Sequence, residues 1–362
     1  MILGIVGGGQ LGRMLGQAAI PLGVRCVFLE PADEPSAAVA GEVIRAAYDD
    51  FDALAALADR CDAVTYEFEN VPVDTARWLE ARVPLFPPPA ALENAQDRLV
   101  EKRFFRDQGL ETAAFAAVDD AASLAAAVEE LGLPAILKTR RLGYDGKGQR
   151  FLAEPSDVEG AHEALGGVPC ILEKVVPFDR EVSVLAVRDA QGEVRTWPLV
   201  ENHHEGGILR HTQAPAPEVA PELQALADDY AQRVTAALDY VGVIAIELFQ
   251  VGDRLLANEF APRVHNSGHF SIEGALTSQF ENHVRAGLGL PLGVTDIVVP
   301  HGCANLIGVV PPLATLLAVP TARVHLYDKS ERPGRKLGHV TVAGPDAETV
   351  RARLGLVTTA RR

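Results

Sequence analysis

Cysteine is scarce. The 362 residues hold four, Cys26, Cys61, Cys170 and Cys303, scattered without a paired spacing. That argues against a thiolate zinc site or a disulfide framework, and reduced thiols suit a reducing, cytoplasmic setting. Long apolar runs are also missing, and none reaches the roughly 20 residues that a membrane helix needs. Bases are outnumbered, 33 Lys and Arg against 49 Asp and Glu, for a net charge of −16. Such a surface is a poor general partner for nucleic acid. The opening MILGIV enters a strand with no basic n-region, so no signal peptide is expected. What remains is an ordinary globular composition, 48% hydrophobic and 23% charged, long enough for two or three cores.

Residues 1–87 alternate short apolar runs with helical stretches: LGIVG, a helix over 12–22, VRCVFLE, a helix over 50–60, then AVTYEFE. Strands alternating with helices imply βαβ units and a parallel sheet. FPPPAA at 86–91 interrupts regular structure and marks a boundary, after which 92–108 reads as one charged helix. Residues 117–176 read as a small α+β unit: helix 121–131, strand AILKT, a Gly-rich turn, strand RFLA, helix 156–165 and strand CILEKV. Helix 221–238 then leads into the remainder. The expected units are 1–95, 96–176 and 177–362.

The segment VIAIELFQVGDRLLANEFAPRVHNSGH, 243–269, reads as two apolar strands joined at Gly252 and Asp253. If Val251 faces Leu255 across a three-residue loop, Glu247 falls opposite Glu259. Facing side chains on one sheet surface lie about 5 Å apart. Two carboxylates that close repel unless a proton or cation lies between them. Oxygen ligands without cysteine favour Mg2+ on a nucleotide over zinc. Two surface glutamates on a solvated hairpin are the plain alternative.

Other segments carry phosphate chemistry. Gly7-Gly8-Gly9-Gln10-Leu11-Gly12 fits G-x-G-x-x-G, with Glu30 where a ribose-binding acid would be. It equally fits another anion at a helix N-terminus, or a turn that simply needs glycine. The run Gly143-Tyr144-Asp145-Gly146-Lys147-Gly148-Gln149 lies between strands and reads as a flap over a polyphosphate or as a plain hairpin. Lys138 ends the preceding strand, within reach of phosphate oxygens, and Glu173 ends a later one as an acceptor for adenine or ribose. Arg263, His265, Asn266 and Ser267 follow the second hairpin acid and offer donors to an oxyanion, or form a packed loop. Lys329, Arg335 and Lys336 fall in a basic cluster, suited to a phosphorylated substrate or to solvent. Of the neighbours His203 and His204, alternation lets at most one face a site. Glu67 and Glu69 in TYEFENV end a sheet strand and should share one side.

Read together, GGGQLGRM, TYEFENV, NAQDRLVEK, GYDGKGQ, NEFAPRVHNSGH and RPGRKLGH resemble the ATP-grasp superfamily, over essentially the whole chain. Within it they resemble the carboxylating synthases that act on 5-aminoimidazole ribonucleotide. That resemblance implies a three-domain ATP-grasp fold: an N-terminal Rossmann-like sheet, a small lid, and a larger antiparallel-sheet domain. It implies ATP and Mg2+ as cofactors, bicarbonate as co-substrate, carboxyphosphate as intermediate, a place in purine biosynthesis, and a homodimer. Position by position, Arg98 and Lys138 would meet ATP phosphates under the 143–149 flap. Glu173, Lys174, Val175 and Val176 would line adenine, Glu181 the ribose, and His204, Asn258 and Glu259 would complete the nucleotide site. Glu247 and Glu259 would hold the metal, with Arg263, His265 and Asn266 beside bicarbonate. Tyr144, Lys329 and Arg335, helped by Gln10 and Glu67, would bind the ribonucleotide. Val264 stands where relatives often have proline, a change that removes no functional group. The competing assignments are another ATP-grasp carboxylate-amine ligase and a dinucleotide-dependent dehydrogenase.

Overall fold

A computed structural model describes residues 1–143 and 147–360. Its first sheet is wholly parallel, in the order β3-β2-β1-β4, from β1 (Ile2–Val6), β2 (Arg25–Leu29), β3 (Glu42–Ile44) and β4 (Ala63–Tyr66). Near-continuous apolar strands such as LGIV and VFL are what a sheet buried on both faces requires. Parallel order sends the loops after β1 and β4 to one edge, where ligand sites of such sheets are built. β4 ends at Tyr66, earlier than the sequence suggests, so alternation does not carry through Glu67 and Glu69.

The span expected as one helix over 92–108 is two, Pro89–Ala95 and Arg98–Asp107. Asp97 breaks it: its extended backbone caps the second helix, and its carboxylate accepts the Leu99 and Val100 N–H groups. Beyond lies a four-stranded antiparallel sheet, β5-β8-β6-β7, from β5 (Phe115–Val118), β6 (Ala135–Thr139), β7 (Gln149–Leu152) and β8 (Cys170–Lys174). One helix, Ala121–Leu131, covers it, buried through Leu124 and Ala127. The helix expected over 156–165 is shorter, a 3-10 turn at Pro155–Asp157 and one turn of α-helix at Ala161–Ala164. Gly160, at φ +69 with no side-chain cap, separates them.

The third sheet has nine antiparallel strands: β9 (Arg180–Arg188), β10 (Val194–Thr196), β11 (Val200–Glu205), β12 (Ile208–Ala214), β13 (Gly242–Val251), β14 (Arg254–Ala261), β15 (His301–Ile307), β16 (Arg323–Leu326) and β17 (Lys336–Ala343). The order is β14-β13-β9-β11-β12-β15-β17-β16, with β10 on β9. Successive residues of β9 and β13 feed two cores. Val182, Val184, Ile244 and Ile246 pack under helix Pro221–Ala237. Leu185, Val187, Val243 and Ala245 instead join Leu3, Ile5, Leu11 and Leu15 of the first unit. That shared core fixes the first sheet against the third. By alternation Glu247 projects to this same side. Among the described residues no helix is long and apolar enough to cross a membrane.

Candidate active site

The glycine loop is already filled, by the chain itself. Glu67, 7% exposed, accepts from Gly9 N and, at 2.5 Å, from Gly12 N. A Cβ on Gly7, which sits at φ +108, would lie 2.4 Å from Glu67 Cγ, and one on Gly9 would lie 2.6 Å from Glu67 Oε1. These glycines therefore admit a side-chain carboxylate at the helix N-terminus, where a dinucleotide enzyme would place pyrophosphate. Glu30 is likewise engaged. It accepts from Gly8 N at 2.8 Å, Ala32 N at 3.0 Å and Tyr48 Oη at 2.7 Å. The dehydrogenase assignment loses both its supports. Glu67, expected on the ribonucleotide, has its two oxygens on backbone N–H groups of the glycine loop.

The hairpin brings Glu247 opposite Glu259, by a different route from the one the sequence suggests. Val251 faces Arg254 across a two-residue turn, a register that would set Glu247 against Asn258. A bulge between Glu247 and Leu248 inserts Asn258 as an extra residue and moves Glu259 into place. Bulges re-aim side chains beside active sites in this way. Burial, then the Glu259 charge, pushes the Glu247 carboxyl up to about 7, with His204 pulling the other way.

Two histidines face Glu247. His265 Nε2 is 3.2 Å from Oε1 and His204 Nε2 is 4.0 Å from Oε2. His265 Nδ1 caps the following turn, accepting from Ser267 N at 3.3 Å. The proton, assigned from that network, then sits on Nε2, the nitrogen nearer Glu247. Burial, then the charge of Arg263, holds His265 well below the usual histidine range. His204 behaves oppositely: burial would lower it, but the Glu181 hydrogen bond at 2.7 Å and nearby carboxylates raise it. His203 is the outward neighbour, 53% exposed and stacked on His211.

Beside this pair stands the RVHNSGH turn. Arg263 donates through Nε to Glu69 and through Nη1 to Val264 O at 3.0 Å. Burial would raise Glu69, yet Arg263 brings it below the ordinary carboxylate value. Gln279 holds the turn by a two-way bond with the His265 backbone, at 2.9 and 2.6 Å. Asn266 is the informative residue: both ends of its amide are buried without a hydrogen-bond partner. Native proteins rarely leave a buried amide idle, so this amide is free to take a bound water or ligand. Gln10 of the first unit and Lys329 of the last, 319 residues apart, are hydrogen-bonded together. Arg335 binds Ser330 O and Oγ at 3.2 and 2.8 Å within its own loop.

On the nucleotide side, Lys138 Nζ donates to Glu173 Oε2 at 3.1 Å. Arg98 holds Thr139 O and Gly143 O, each at 3.2 Å. Lys174 Nζ donates to Leu133 O at 3.0 Å. Tyr144, Asp145 and Gly146 of the expected flap lie outside the described residues. Lys102 was missed by the sequence reading. It is 1% exposed and also meets Glu173 Oε2, at 3.5 Å. A signal for it existed: Lys102 falls midway between Leu99 and Phe105, on the apolar stripe of its helix. Glu101 was missed too; it accepts Phe260 N at 2.7 Å beside Glu259.

Burial would raise Glu173, but Lys102 and Lys138 bring its carboxyl down to about 2, below the unfolded value near 4.5. A depressed carboxylate stabilises the fold above its unfolded pKa and loses that contribution as pH falls through the folded one. Stability should therefore drop between about pH 4.5 and 2, by up to roughly 3 kcal/mol from this group. Urea unfolding across that range checks it: the pH slope should flatten in Glu173→Gln, and an unchanged slope would refute the assignment.

Residues 1–96 match the ribonucleotide synthetase preATP-grasp domain, 103–280 the ATP-grasp domain, and 303–353 the phosphoribosylaminoimidazole carboxylase C-terminal domain. The chain is 53% identical to the N5-carboxyaminoimidazole ribonucleotide synthase of Pseudomonas aeruginosa, over 99% of this chain and 98% of that protein. The crystal structure of the N5-carboxyaminoimidazole ribonucleotide synthetase of Thermus thermophilus superposes with a TM-score of 0.95 at 52% identity, covering 99% and 98% of the two chains. An Aspergillus clavatus synthase solved with ADP and 5-aminoimidazole ribonucleotide gives 0.93 at 32% identity, covering 100% and 98%.

Proposed function

The chain belongs to the N5-carboxyaminoimidazole ribonucleotide synthase family of ATP-grasp ligases, and on that premise we propose how its own residues carry the reaction. Bicarbonate oxygen attacks the γ-phosphorus of ATP, giving ADP and carboxyphosphate. The exocyclic amine of 5-aminoimidazole ribonucleotide then attacks the carboxyl carbon, releasing phosphate and a proton and leaving the carbamate. Phosphoryl transfer of this kind needs charge placement more than covalent help.

The carrying observation is Glu247 set opposite Glu259, with the unpartnered Asn266 amide and the Arg263 turn following directly in the chain. Among the described residues no group of three or more His, Cys, Asp or Glu could hold a metal alone. Two carboxylates that leave further positions to phosphate oxygens and water suit Mg2+, which when bound would neutralise charge on the transferring group. His265 Nε2 stands 3.2 Å from Glu247 Oε1 and packs beside that carboxylate. Arg263, oriented by Glu69, and Asn266 receive the bicarbonate oxygens. Lys138 and Arg98 take the phosphates, while His204 and Glu181 stand beside Glu247 on the nucleotide side. Lys329, Gln10, Arg335 and Lys336 receive the ribonucleotide, with Lys329 bridging the first and last units.

ADP release measured with and without bicarbonate and 5-aminoimidazole ribonucleotide tests this reading. Turnover should need both, with one carbamate formed per ADP. Turnover indifferent to bicarbonate, or sustained by formate in its place, would move the protein to another ligase reaction.

A further inference from the structure

Two lysines share one oxygen of one buried carboxylate, and they are not equivalent. Lys102 Nζ has three partners: Ala257 O at 3.3 Å, Asn258 Oδ1 at 3.4 Å and Glu173 Oε2 at 3.5 Å. Two of its three N–H donors are hydrogen-bonded to β14, and the Glu173 ion pair takes the remaining side of the ammonium. Its side chain is 2% exposed, on a helix packed against β14. Lys138 Nζ, 14% exposed, has one hydrogen-bond partner among the described residues, Glu173 Oε2 at 3.1 Å. It stands near the end of β6, between β8 and β7, next to the loop that Arg98 holds. Glu173 itself is 5% exposed, and its Oε1 has no partner.

We propose that Lys102 is a positioning residue: it is the permanent counter-ion of Glu173, and by staying in place it releases Lys138 to the phosphates of ATP. The inference rests on the nucleotide site assigned above. Pulling the only partner from a buried carboxylate leaves an uncompensated charge, a large cost in a desolvated site. With Lys102 present, Glu173 keeps a cation when Lys138 turns away. Without it, Glu173 holds Lys138 and competes with the nucleotide. The same lysine ties three pieces together: the helix Arg98–Asp107, β8 through Glu173, and β14 through Asn258. Two residues expected on the nucleotide, Glu173 and Asn258, thus hang on one ammonium.

Calorimetric binding of Mg-ATP and of AMP to the full chain tests this, using wild type, Lys102→Met, Glu173→Gln and the double variant. Lys102→Met should weaken Mg-ATP about tenfold, which corresponds to roughly 1.4 kcal/mol, and AMP much less. The loss concerns phosphates that AMP lacks. In the Glu173→Gln background the same substitution should cost less than about threefold, because the carboxylate that captures Lys138 is gone. Equal weakening of ATP and AMP, or an equal penalty in both backgrounds, would show a merely structural lysine and overturn the proposal. Lys102→Gln, which keeps donors for the two oxygens of β14, takes the same test if the methionine variant does not fold. Wild-type protein that does not bind Mg-ATP would sink the underlying function instead.

Discussion

Glu259→Gln should lower bicarbonate-dependent ATP turnover on the order of a thousandfold, the several kcal/mol that a bound cation contributes to a phosphoryl-transfer transition state. The substitution keeps size and hydrogen-bonding capacity and removes one charge. In the Mg2+-free protein that charge is a burden: burial and Glu259 together push Glu247 up to about 7. Removing it should raise the melting point of the nucleotide-free protein while abolishing the further rise that Mg-ADP gives wild type. A ligand stabilises in proportion to its affinity for the native state, so loss of the ligand-dependent shift reports the metal site itself. Activity and stability moving in opposite directions would identify the pair as a functional site kept at some cost to the fold. A variant retaining more than about a tenth of wild-type turnover, or one simply less stable with its Mg-ADP shift intact, would remove Glu259 from the site.

Much of this was legible in the residues, and the failures are local. β1, β2, β6, β8 and the helix Ala121–Leu131 lie where their apolar pattern places them, because each buries a continuous face. Glu247 and Glu259 were paired in the sequence by assuming a three-residue loop; the structure reaches the same pairing with a shorter turn and a bulge at Asn258. A bulge leaves no periodic trace, so the residue pattern alone does not reveal it. The G-x-G-x-x-G pattern was ambiguous for a physical reason. A helix N-terminus accepts any anion, and nothing in the local sequence says that the anion is Glu67, 55 residues from Gly12. Glu67 and Glu69 were placed on one side because β4 was read as too long. With the strand ending at Tyr66, Glu67 turns to the glycine loop and Glu69 to Arg263. Lys102 was visible only as a cation on an apolar stripe, a signal easily taken for a snorkelling surface lysine.

Arg263→Ala is the second large effect, an expected loss of about a hundred- to a thousandfold in kcat, typical of removing one preorganised donor from a developing oxyanion. Its difficulty is that Arg263 has two employments. Nε is committed to Glu69 and one Nη1 hydrogen to Val264 O, both of which hold the turn, while Nη2 has no partner among the described residues. Truncation therefore deletes a donor and also leaves Glu69, 33% exposed at its side chain, without its cation. Burial then pushes the Glu69 carboxyl back up. The double variant Arg263→Ala/Glu69→Gln separates the two. Removing the stranded carboxylate should recover most of the lost unfolding stability, on the order of 1–2 kcal/mol in urea, since an unpaired charge is worse than a neutral pair. It should recover none of the turnover. Glu69→Gln alone should fall between, with kcat reduced about tenfold, because the guanidinium remains but its orientation is looser. Turnover restored together with stability in the double variant would mean that Arg263 only braces the turn, and that the bicarbonate oxygens are received elsewhere.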